Sequence, residues 1–184
     1  MKFCLLFICS ILVAQDFHQG EVFFDYSGSI NGSFSSSTQD SVTTGFAFNQ
    51  EGADTSYFII GGVAEKNEGK FDIFISLMQD TIFPVRPRTW DVPGQGNPED
   101  PSSLETIVVF LPDVDSTFVE ELTSILPDTV GNDSLNLDTL IAALFLGLSS
   151  NFYFGIGGDM EISEVTDSTI VGDFSMTLFK PLFS

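Results

Sequence analysis

The chain has 184 residues and sets 26 acidic side chains against 6 basic ones, a formal net charge of −20. So negative a surface repels phosphate backbones and anionic lipid heads, which argues against nucleic acid and against electrostatic membrane docking. Twenty Phe and a positive mean hydropathy argue against disorder, since a disordered chain lacks the apolar content that offsets ordering entropy.

The opening stretch MKFCLLFICSILVAQ places Lys2 before an apolar run from Phe3 to Ala14. That is the layout of a secretory signal peptide, residues 1–14, with cleavage after Ala14. The run falls short of the roughly 20 apolar residues a membrane-crossing helix needs. Leu12, at −3 from the cut, is larger than the usual small residue, and Cys9 follows Phe7 and Ile8 rather than the small residue of a lipid-attachment site. Both cysteines, Cys4 and Cys9, lie in this leader, so the mature chain 15–184 has no thiol and no disulfide. Its net charge, without Lys2, is near −21. About 170 residues suit one domain with a sizeable core, held by packing and by any bound ion.

Past the leader the text alternates as strands do. EVFFDYSG puts Val22, Phe24 and Tyr26 on one face, and Asn31-Gly32 follows as a hairpin turn or a bulge. SVTTGFAFN sets Thr44, Phe46 and Phe48 on one side. TSYFIIGGV and GKFDIFISLM read as a strand pair joined by the polar turn AEKNEG; in the second, Phe71, Ile73, Ile75 and Leu77 alternate with Asp72, Phe74 and Ser76. Residues 84–103 hold five prolines and two glycines and read as a long loop, and ETIVVFLP after it as a strand.

The period then changes. Phe118, Val119, Leu122, Ile125 and Leu126 recur at helical spacing, with Thr117 and Glu120 as a capping box and Pro127 as the stop. NLDTLIAALFLGL reads as a second, buried helix opened by Asn136 or Asp138; its apolar run, Leu140 to Leu148, is too short to span a membrane. Together they form an expected helical insertion at 116–148. NFYFGIGG and the closing hairpin DMEISEVTDSTIVGDFSMTLF return to strand, with Ile170, Gly172, Phe174, Met176 and Leu178 on one face. The whole predicts a mainly β chain: an antiparallel sandwich or partly closed barrel of about 9–10 strands with a two-helix insertion.

The Gly-rich final hairpin, with Gly172 and Phe174 in its last strand, and the early YSGSINGSF resemble uncharacterised β-rich domains of secreted bacterial proteins. The likeness touches the first third and the closing hairpin of the mature chain. It implies a sandwich-like fold and an exported, periplasmic or extracellular location, and it carries no catalytic residue across.

Reactive side chains are scarce. His18 is the only histidine and sits beside the expected new terminus, no G-x-S-x-G is present, and the mature chain has no Cys. Nucleophilic triads and the usual zinc sites are therefore disfavoured. Two carboxylates at a suitable separation suffice for a glycosidase, but 26 acids make some such pair inevitable, and Trp90 is the lone Trp for stacking sugars.

Calcium would draw on Asp113 and Asp115 in PDVDS and on Asp128, Asn132, Asp133 and Asp138 in PDTVGNDSLNLD. Neither has EF-hand spacing, and the same residues serve as caps and turns. Arg86 and Arg88 bracket Pro87 beside Trp90, a cationic and aromatic spot in an acidic chain. It could grip a carboxylate or a ring, or its arginines could pair with nearby acids and tie the loop down. The alternating Phe fill a core or line a hollow for an apolar ligand. The reading these residues support first is an exported, non-catalytic structural, surface or binding module with no cofactor. The alternative is a carrier of a small apolar ligand, with a carboxylate-based glycan hydrolase third.

Overall fold

A computed structural model describes residues 15–17, 21–37, 42–49, 56–82, 84–96, 104–125, 151–167 and 169–181. In chain order its elements are β1 (Gln15–Phe17), β2 (Glu21–Tyr26), β3 (Gly32–Ser37), β4 (Val42–Asn49), β5 (Ser56–Asn67), β6 (Lys70–Asp80), β7 (Arg88–Asp91), β8 (Thr106–Asp115), α1 (Ser116–Ile125), β9 (Tyr153–Val165) and β10 (Ile170–Phe179). The chain is mainly β and antiparallel, as its alternation predicts. The expected leader, His18 and the expected second helix lie outside the described residues. No described helix is long and apolar enough to cross a membrane.

One sheet runs β1-β4-β5-β6-β8-β9-β10, with β7 added to β9; β2 and β3 form a separate hairpin. The sheet curls without closing into a barrel. Phe174 of β10 stacks on Phe74 of β6, ring centroids 5.3 Å apart at 14°. The far end of the sheet therefore lies opposite its middle, and two layers result: β1, β4, β5, β6 and β8 below, the two hairpins β2–β3 and β9–β10 above.

This layering explains β6. Alternation predicts its Phe71, Ile73, Ile75, Leu77 face as core, and Ile73, Ile75 and Leu77 do join Ile59, Val109 and Leu111 in one cluster. The opposite face is buried as well. Phe74 and Met78 pack with Phe34, Trp90, Phe110 and Met160 in a second cluster, between the layers. β6 is therefore covered on both faces, by the upper layer on one side and by Leu104, Phe118, Val119 and Phe152 on the other.

Three boundaries differ from the text reading. The β5 ladder continues through Ala64 to Asn67, leaving Glu68 and Gly69 as the turn. NFYFGIGG and DMEISEV join into the single 13-residue strand β9. The Pro-rich stretch contains β7, whose residues pair with β9 from Arg88↔Ile162 to Asp91↔Asp159. Local propensity cannot show such pairing, because the partner lies some seventy residues on.

The helix also starts earlier than its capping box suggests. Asp115 Oδ1 accepts the Phe118 N–H at 3.1 Å, so Asp115 is the N-cap and Thr117 lies inside the first turn. β8 runs straight into α1, and the last strand residue caps it. Phe118 and Val119 then pack onto the first cluster.

Candidate binding groove between two hairpins

A half-open groove of about 1000 Å³ lies between β2 and β10. Its floor is built by alternation in four strands, the β2–β3 hairpin with β6 and β10. Phe24 of β2 sits 4.9 Å from Phe34, 5.3 Å from Phe74 and 5.5 Å from Phe174, ring centre to ring centre. These offset and edge contacts fix the rings beyond what area burial alone supplies. Gly62 makes the seating possible. A Cβ there would lie 3.0 Å from Ser36 Cβ and 3.2 Å from Phe34 Cζ, so a side chain would lift β3 off β5. Ser36 Oγ then donates to the Val63 carbonyl at 3.1 Å.

The rim has one sign of charge. Glu21, Asp25, Glu161 and Asp173 line the groove, all exposed, and its lining contains no Lys, Arg, His or Cys. Two large apolar side chains stand open there, Phe23 at 69% and Val171 at 53% exposure.

The arginine and tryptophan singled out in the sequence do meet, but away from this groove. Arg88 reaches Asp80 Oδ2 at 2.9 Å and Glu105 Oε1 at 2.9 Å, and lies 4.6 Å over the Trp90 ring. Trp90 is 2% exposed and donates Nε1–H to the Gln79 carbonyl at 2.9 Å. The knot ties the Pro-rich stretch to the end of β6, one of the two uses its composition allows. Arg86 is exposed and stands outside the knot.

Of the calcium candidates, Asp115 is the helix cap. Asp113 adopts φ 59°, donates its N–H to Asp72 Oδ1 at 2.9 Å, and holds Lys66 Nζ at 3.2 Å. Asp128 and Asp133 lie outside the described residues. Among the described residues no group of three or more His, Cys, Asp or Glu side chains is placed to hold a metal ion.

Asp72 is the titratable residue the text did not single out. It is 3% exposed in the middle of the sheet. Burial pushes its carboxyl above the ordinary value; the Asp113 N–H and Lys66, 3.8 Å away, pull it back only in part. Burial alone would lower the Lys66 ammonium, but its hydrogen bond to Asp113 and the charge of Asp72 hold it above its usual value. In the sequence Asp72 falls with Phe74 and Ser76 on the face opposite Phe71, Ile73, Ile75 and Leu77, and alternation alone did not show that this face is buried too. Asp72 lines no part of the groove, and its partners are those of a structural clasp.

No known protein family, curated protein or solved structure matches this chain.

Proposed function

We propose that the protein is an exported, non-catalytic binding module whose ligand face is the groove between β2 and β10. The observation that carries this is the pairing of an aromatic floor with a rim of four carboxylates in one concave surface. An apolar concavity with a few convergent polar groups is the common form of a binding site. The rim is exposed and the lining has no thiol or imidazole, so recognition is the use its chemistry fits. Export rests on the leader 1–14 and on a mature chain without thiols.

A carrier of a small apolar ligand is the second reading, favoured by the same ring floor. The half-open shape and the unclosed sheet favour a partner larger than an enclosed small molecule. Nile red, a neutral dye, tests the groove directly. Saturable dye fluorescence is expected, reduced at least fivefold in the Phe23→Glu, Val171→Glu double variant, whose sites are already exposed. Absence of saturable binding, or binding indifferent to both substitutions, would overturn the assignment. Lipid recovered by organic extraction of the purified protein would favour the carrier.

A further inference from the structure

The groove is flanked, among the described residues, by two strand edges without a neighbour. Among the described residues β2 pairs only with β3, and β10 only with β9. The lining takes residues 21–25 from β2 and 170–174 from β10. The upper layer therefore reads β3, β2, a gap, then β10 and β9. Unpaired edges present rows of backbone N–H and C=O groups that template another strand.

From this we infer that the groove accepts an extended cationic peptide segment, which adds as a strand between β2 and β10. The inference rests on the groove being a binding face. Length agrees: six residues of β2 span about 20 Å at the usual rise of a strand, enough for a segment of similar length. Side-chain direction agrees too. Val22 and Phe24 of β2 and Ile170 and Phe174 of β10 face the core, so alternate residues of an added strand would meet the same ring floor. The other residues would emerge beside Glu21, Asp25 and Asp173 on the exposed face. Apolar residues alternating with Lys or Arg satisfy both demands.

Charge selects the occupant. A second copy of this chain would bring its own acids against that rim, with a net charge of −20 on each molecule. An acidic or phosphorylated peptide meets the same repulsion. A cationic strand is attracted from a distance and then paired at short range.

Three synthetic peptides test this against the full exported chain by calorimetry or fluorescence anisotropy. Acetyl-KVKVKVK-amide is expected to bind with a micromolar Kd. The acidic counterpart, acetyl-EVEVEVE-amide, should bind at least a hundredfold more weakly. The lysine peptide N-methylated at alternate residues should lose at least tenfold, because it keeps charge and side chains but cannot donate along one edge. Glu21→Gln with Asp25→Asn should weaken the parent peptide about tenfold. Equal binding of the N-methylated peptide would reduce the effect to surface charge and overturn strand addition. Dimerisation abolished by Phe23→Glu would give the groove to a second copy and overturn the cationic occupant. Nile red binding with no binding of the lysine peptide defeats this inference alone; loss of both defeats the binding groove as well.

Discussion

Replacing Arg88 by Ala removes three contacts at once. Its guanidinium spans Asp80 and Glu105 at 2.9 Å each and covers Trp90 at 4.6 Å. The side chains of Arg88, Asp80 and Glu105 are 34%, 13% and 27% exposed, so the knot lies between the surface and the interior. Surface pairs contribute about 0–1 kcal/mol, whereas breaking a buried pair costs about 3–5 kcal/mol. The deciding partner is Asp80, the least exposed of the three, which is left without its cation. A cost of about 2–3 kcal/mol follows, including the ring contact. For a domain this size that lowers Tm by roughly 5–10 °C. Thermal and urea unfolding followed by circular dichroism read it, and Trp90, the lone Trp, reports on the knot by its emission. Arg88→Lys should recover less than half, because an ammonium cannot fork two carboxylates over a ring. High salt should narrow the gap between wild type and Arg88→Ala, since the Debye length falls to about 3 Å at 1 M. A loss below about 0.5 kcal/mol, or zero coupling in a double-mutant cycle with Glu105→Gln, would refute the clamp.

Other consequences are equally direct. The Asp72 carboxyl is raised in the folded state from an ordinary value of 3.8. Its protonated form is favoured by folding, so its contribution is complete below that value and is lost as pH rises through the folded one. The stability of Asp72→Asn relative to wild type should therefore grow upward from pH 4 and level off once the folded carboxyl ionises; a difference independent of pH contradicts this. Ser76 and Thr106 bury hydroxyls that have no hydrogen-bond partner among the described residues. Ser76→Ala and Thr106→Val should be neutral or gain up to about 1 kcal/mol, and a loss of more than that in urea titration would show that a partner exists. Expressed with its leader in a bacterial host, the chain should be recovered outside the cytoplasm with Gln15 first by intact mass; retention of Met1 in the cytoplasmic fraction would remove the case for export.

Alternation made most of the sheet legible. Phe71, Ile73, Ile75 and Leu77 stand on one face of β6 because side chains in extended backbone alternate, and Ile170, Phe174, Met176 and Leu178 are half-buried on one side of β10 for the same reason, while Gly172 is exposed. The clamp was half legible: Arg88 and Trp90 were visible as an odd pair, but Asp80 and Glu105 lie on the far sides of a loop that only the fold closes. The groove was hidden for a stronger reason. Phe24, Phe34, Phe74 and Phe174 follow the same pattern as any core residue, and periodicity reports that a face is apolar without saying what covers it. That depends on how many strands each layer receives. The lower layer has five, in an unbroken ladder from β1 to β8. The upper layer is laid from both ends of the chain, β2–β3 from one and β9–β10 from the other, and the described strands do not meet. The separate β2–β3 hairpin and the β9–β10 end of the main sheet lie over one ring cluster, and among the described residues their facing edges stay unpaired. Closing that gap needs a strand with apolar residues on one side and positive charge on the other, and the chain's own acidity argues that it comes from a different molecule.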